Sequence, residues 1–131
     1  MKKIIVLLIL ALSFFSCKKE SKKENGKLNV VTTTSMITDL VKNIGGNAIE
    51  VKGLMGSGVD PHLYKATQGD LTKLTNADII FYNGLHLEGK MQEILEKLGR
   101  TQPTYAISAG INTNQLRSLG KLATAKYIYD P

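Results

Sequence analysis

From residue 28 onward, apolar positions along the chain switch repeatedly between a period of two and a period of three to four, which is the mark of alternating strands and helices. LNVVT, residues 28–32, is a short β-branched run suited to a buried strand, and Thr33, Thr34 and Ser35 supply N-cap candidates for the segment after it. Met36, Ile37, Leu40, Val41 and Ile44 then recur at helical spacing until Gly45 and Gly46 stop the helix. Ile49, Val51 and Leu54 alternate with Glu50 and Lys52 as a second strand that runs straight into a glycine-rich loop. At the far end of that loop Thr67 and Asp70 stand three apart, a variant of the capping box, and Leu71, Leu74 and Ala77 give the next helix its apolar stripe. DIIFYN, residues 78–83, is the clearest strand in the chain. Residues 84–89 turn, Met91, Ile94, Leu95 and Leu98 set an amphipathic helix before Gly99, and residues 104–107 make a fourth strand. Four such alternations predict an α/β fold, a parallel sheet of about four strands with helices on both faces.

After Ser108 the pattern weakens. Gly110, Asn112, Asn114 and Gly120 predict loop or irregular helix as far as Lys126, and Tyr127 to Tyr129 has the composition of a further strand. No capping signal or polar tail accompanies Asp130 and Pro131, so the chain reads as truncated there. There is no internal repeat.

The first 27 residues follow a different logic. Lys2 and Lys3 precede an apolar run over residues 4–12, and Ser13, Phe14, Phe15 and Ser16 lead to the only cysteine, Cys17. This is the charged, apolar and small-residue order of a secretory signal. The run is too short to span a bilayer, which needs about 20 apolar residues. A cysteine directly after a small residue resembles the bacterial lipoprotein signal, in which the cysteine is lipidated and becomes the new N-terminus. Phe14 and Phe15 depart from the usual box, which prefers Leu and a smaller residue. Ordinary secretion with an incidental cysteine and a buried N-terminal helix are the alternatives. KKESKKENGK, residues 18–27, has no apolar residue and cannot bury surface, so it reads as a solvated tether. The expected organisation is a signal peptide over 1–16, lipidated Cys17 with its tether over 17–27, and one folded lobe over 28–131.

Charge and composition change this picture little. At 131 residues and 43% hydrophobic, the chain can build a core for one domain. The formal charge of +6 suggests nucleic acid or a membrane surface until it is located. Residues 1–27 hold seven lysines against Glu20 and Glu24, and the remainder carries ten basic and nine acidic residues. The basic character belongs to the N-terminus, and no nucleic-acid partner is expected. With Cys17 assigned to lipid, no cysteine is left for an internal disulfide.

Candidate chemistry gathers in GLMGSGVDPHLYKATQGD, residues 53–70. Gly56 and Gly58 let the backbone turn, and Pro61 fixes φ just before His62 and pushes Asp60 towards extended backbone. Ligands of open parallel sheets sit beyond the carboxyl ends of the strands, which is where this loop falls. A phosphate cradle does not match, because Val59, Asp60 and Pro61 follow the last glycine where Lys and Ser or Thr, or a helix-opening glycine, are needed. Ser57, Asp60 and His62 lie within six residues, but no nucleophile elbow places the serine, and no enzyme is expected. Neutral imidazole suits zinc, and manganese when carboxylates share the site. One histidine is not a site, however, and spacing leaves His62 open between a metal ligand and an ordinary hydrogen-bonded loop residue. His86, in NGLHLEGK after the third strand, reads as an exposed turn histidine, with Glu88 acting near the N-terminus of the helix that follows.

GLMGSGVDPHLYKATQGDLTKLTNADIIFYNGLHLEGKM resembles the metal-binding lipoproteins of bacterial ABC importers, the solute-binding protein family 9 or cluster A-I group. The strongest parts are GVDPHLY at 58–64, DL at 70–71, ADII at 77–80 and NGLHLE at 83–88, and the similarity runs from about Leu28 to Pro131. The resemblance implies that His62 is the first metal ligand and that His86 is not one. It also implies that Asp130 and Pro131 open a second D-P-H motif whose histidine is the next ligand. Such proteins have two α/β lobes joined by a long helix, with Zn²⁺ or Mn²⁺ buried between them, and deliver the ion to a membrane permease driven by an ATPase. By this resemblance the chain is the N-terminal lobe of a monomeric lipoprotein held by its lipid anchor on the extracytoplasmic side of a bacterial membrane. An adhesin using the same lobe is the alternative.

Overall fold

A computed structural model describes residues 26–116 of the protein. Strand β1 (Leu28–Thr32), helix α1 (Ser35–Gly45), β2 (Ile49–Gly53), α2 (Gln68–Thr75), β3 (Ile79–Tyr82), α3 (Gln92–Leu98) and β4 (Thr104–Ala106) follow in order. Short 3-10 turns occupy Gly46–Ala48, Gly89–Met91, Ile107–Gly110 and Thr113–Gln115. All pairings are parallel, in the order β2-β1-β3-β4. The start of β3 is pinned to β1 by a reciprocal pair, in which the Asn29 N–H donates to Asp78 Oδ2 and the Asp78 N–H to the Asn29 carbonyl, each at 2.8 Å.

β1 takes an inner place because both of its faces are apolar, with Val30 and Val31 each buried. Neighbouring residues of a strand face opposite sides. Val31 and its register partner Ile80 pack with Leu74 of α2 and Leu95 of α3, so those helices share one face. Val30 faces the other side, where α1 lies on β1 and β2 with Ile37 buried. Right-handed crossovers applied to this strand order give the same division, and helices cover both faces as expected.

Three details differ from the sequence expectation. In α1, Ile37 is buried and Val41 half-buried, while Met36, Leu40 and Ile44 form a second stripe that is exposed among the described residues. A helix on a flat sheet presents only part of its circumference, so five apolar positions spread over two stripes cannot all face inward. Ala77 packs against the core from beyond α2, which ends at Thr75. β4 ends at Ala106, and Ile107 opens a 3-10 turn, as far as which the weak pattern after Ser108 reads correctly as irregular helix. Cys17, the strand expected at residues 127–129, Asp130 and Pro131 lie outside the described residues. Among the described residues no helix is long and apolar enough to cross a membrane.

Candidate metal centre

The glycine-rich loop leaves β2 from a fixed start. The Leu54 and Met55 N–H groups donate to the Thr32 and Thr33 carbonyls, each at 2.9 Å, and both side chains enter the core. Its other end is closed by one carboxylate. Asp70, 4% exposed, accepts from the Thr67 N–H at 3.0 Å, the Thr67 hydroxyl at 2.7 Å, the Tyr64 hydroxyl at 2.7 Å and Lys73 Nζ at 3.0 Å. The capping box expected from Thr67 and Asp70 is thus present, and the same group that starts α2 also holds the loop. Tyr64 completes the closure, its hydroxyl lying 3.3 Å from the Leu54 carbonyl.

Burial opposes ionisation of Asp70, yet the hydrogen bonds from Thr67, Tyr64 and Lys73 together hold its carboxyl well below the ordinary 3.8. Burial, with the Asp70 charge beside it, pushes the Tyr64 hydroxyl up from 10.0 to about 12.

His62 stands on this closed loop, exposed, with Asp60 as its partner. Asp60 Oδ1 accepts from the His62 backbone N–H at 2.9 Å and lies 3.1 Å from the ring Nδ1. The turn is of the kind in which a short acidic side chain bonds its own backbone two residues on, and the φ of +81° at Gly58 is what lets the chain enter it. In the tautomer that donates Nδ1–H to Asp60, the Nε2 lone pair is left free, the arrangement by which a carboxylate orients a histidine and raises its basicity. The His62 N–H first, and its ring second, hold the Asp60 carboxyl below 3.8.

The second histidine lies in the turn after β3. Leu85 and His86 have φ of +53° and +59°, between left-handed Gly84 and Gly89. Two adjacent left-handed residues that are not glycine cost about 1 to 2 kcal/mol each. His86 is exposed. Glu88, expected to act near the N-terminus of the following helix, stands there but turns its side chain away without capping it and is fully buried. Its Oε1 accepts from the Thr33 hydroxyl at 2.7 Å and the Asn83 N–H at 2.6 Å, and its Oε2 from the Gly84 N–H at 3.1 Å. A buried carboxylate needs such donors, and here they come from the carboxyl ends of β1 and β3.

The structure therefore brings Asp60 to His62 and sends Glu88 away from His86. Among the described residues no group of three or more His, Cys, Asp or Glu side chains is placed to hold a metal. A cavity of about 300 Å³ on the α1 side, lined by Ser35, Asp39, Lys42 and Gly56 among others, does not include His62. Sequence reasoning missed Asp60 as the ring's partner, although an acid two residues before the histidine across a proline is a legible turn signal. It also missed the inward course of Glu88, for which the chain carries no local signal.

Comparison with known proteins shows the family to which this fold belongs. Residues 30–131 match the family model described as zinc-uptake complex component A, periplasmic. The manganese-binding lipoprotein MntA of Bacillus subtilis is 47% identical over 110 residues, covering 84% of this chain and 35% of the relative. The zinc-binding protein TroA of Treponema pallidum is 55% identical over 95 residues, covering 72% of this chain and 31% of the relative. The solved structure of that periplasmic zinc-binding protein superposes with a TM-score of 0.68 at 52% identity, over 76% of this chain and 35% of the other. The Mn-bound periplasmic metal-binding protein from Candidatus Liberibacter asiaticus gives a TM-score of 0.51 at 35% identity, over 64% of this chain and 32% of that one. The chain spans about a third of the length of the curated relatives it matches.

Proposed function

The chain belongs to the family of zinc-uptake complex component A, and on that premise we propose that it is an extracytoplasmic lipoprotein that captures Zn²⁺ or Mn²⁺ and passes the ion to the permease of an ABC importer. The observation that carries this reading is His62, exposed on a loop closed at both ends, with Asp60 against Nδ1 and Nε2 left free. Neutral imidazole backed by a carboxylate is a donor for either ion.

In this reading His62 is a metal ligand and Asp60 sets its tautomer. Cys17 carries lipid, residues 17–27 form the tether, and residues 28–131 form the N-terminal lobe of a monomer held beside its permease. A closed site generally needs about four ligands, so the others come from outside the described residues, and they set the choice between zinc and manganese. Asp130 and Pro131 then begin the second D-P-H motif.

Titration calorimetry of the 131-residue chain tests the ligand. Weak Zn²⁺ binding that disappears in His62→Ala is expected, and binding unchanged by that substitution overturns the reading. For the anchor, cells fed labelled palmitate should label the chain, and Cys17→Ser should abolish the label. A label retained by Cys17→Ser would refute lipidation at that residue.

A further inference from the structure

The geometry points to Glu88 as a positioning residue for His62, acting through Gly89 without touching the metal; this rests on the reading of His62 as a ligand. Three observations lead there. Glu88 is fully buried and joins the end of β1, through Thr33, to the end of β3, through Asn83 and Gly84. The residue after it, Gly89, lies so close beneath His62 that a Cβ built there would come within 2.5 Å of the His62 carbonyl oxygen. Thr33 in turn accepts at its carbonyl from Met55, the residue that starts the histidine loop.

The loop carrying His62 is therefore seated twice on the same support. Its start is bonded to β1 at Thr32 and Thr33, and its middle rests on Gly89. Glu88 connects the two seats, so its position sets the height of His62 over the sheet edge. Gly89 must be glycine for two reasons, the contact with His62 and its φ of +47°. The left-handed course through Leu85 and His86 also makes sense in this light, because it turns the Glu88 side chain back under the strand ends.

Glutamine is a discriminating replacement. The Asn83 N–H points at one oxygen of Glu88 and the Gly84 N–H at the other. Whichever way a glutamine amide is turned, its NH₂ meets a backbone N–H and one of the two bonds is lost. Groups that orient a metal ligand at second hand change affinity by roughly 10- to 100-fold, and the lower end is expected here because Glu88 acts through backbone.

The test follows His62 by NMR in the ¹⁵N-labelled 131-residue chain, first without metal and then during titration with MnCl₂, whose paramagnetism broadens nearby signals. Glu88→Gln and Gly89→Ala should each move the metal-free backbone amide signals of Asp60 and His62, and should raise the Mn²⁺ concentration that half-broadens the His62 ring by roughly tenfold. Thr33→Val, which removes one of Glu88's three bonds, should shift the same signals in the same direction by less. Unmoved Asp60 and His62 amides in folded Glu88→Gln would reduce Glu88 to a tie between strands and overturn the inference. Should Glu88→Gln fail to fold, unmoved signals in both Gly89→Ala and Thr33→Val overturn it equally. Failure of Mn²⁺ to broaden His62 in the unsubstituted chain would instead refute the metal reading, and the metal-free amide shifts would still decide the role of Glu88.

Discussion

Two turns at the carboxyl edge of one sheet carry the two histidines, and each has an acidic residue two positions away. In the loop after β2 the order is Asp60-Pro61-His62, and in the turn after β3 it is His86-Leu87-Glu88. The chemistry of the pairs is nearly the same, yet their fates are opposite. Asp60 stays at the surface because the nearest donors are the His62 N–H and ring, so it fixes the direction of the imidazole. Glu88 turns inward because the strand ends offer three donors at one point, so among the described residues His86 is left exposed without a carboxylate. What separates a ligand candidate from a surface histidine is where the unpaired backbone donors lie, a property of the fold and not of residue spacing.

If the first loop owes its order to closure at Tyr64 and Asp70, removing that closure should have the largest effect. Asp70→Ala leaves the Thr67 N–H without its acceptor, takes from the Tyr64 hydroxyl the shorter of its two, and removes the Asp70 half of the capping box of α2 while Thr67 still caps, a loss of about 3 kcal/mol in urea unfolding. A loss below about 1 kcal/mol would show that the two ends are held by other contacts. The pH dependence has a definite sign. Asp70 has a folded pKa below its unfolded one, so its contribution is present above about pH 4 and is lost as pH falls through that value towards the folded one. Asp70→Asn should flatten that acid limb of the stability curve. Tyr64 has the opposite sense, stabilising below 10.0 and losing its contribution as pH rises towards about 12.

A smaller effect sharpens the role of Asp60. Asp60→Asn keeps an acceptor for the His62 N–H but removes the charge beside Nδ1, and should weaken Mn²⁺ or Zn²⁺ binding roughly tenfold. The analogous change on the other side, His86→Ala, should leave that binding within about twofold, a difference of about 0.4 kcal/mol at most. On stability, the smallest expected effect is that of His86→Gly. It relieves a left-handed φ of +59° at an exposed position, and a gain of up to about 1 kcal/mol in unfolding free energy is expected. A loss of stability there would mean that the His86 side chain has a partner of its own.

Much of the fold could be read locally. β1 is the LNVVT run, and the glycines after Ile44 end α1 where expected. Thr67 and Asp70 make a full capping box, legible from their spacing alone. α1 was only half legible, because periodicity reports which residues are apolar and not which of two adjacent stripes a flat sheet can cover. At the site, glycine, proline and histidine marked the loop, and the family resemblance, not the spacing, singled out His62. The Asp60 contact was within reach of sequence reasoning, since it spans two residues. Glu88 was not, because its partner Thr33 is 55 residues away and the two meet only through the β1 to β3 pairing.

By itself, then, the sequence determined what depends on neighbours along the chain: element type, the helix caps, the loop's turns and the acid beside each histidine. Only the tertiary structure decided which acid serves its histidine and which is buried to join two strands. The reason is that a carboxylate goes where donors are left unpaired, and in a parallel sheet those donors are supplied by strand ends brought together from distant parts of the chain.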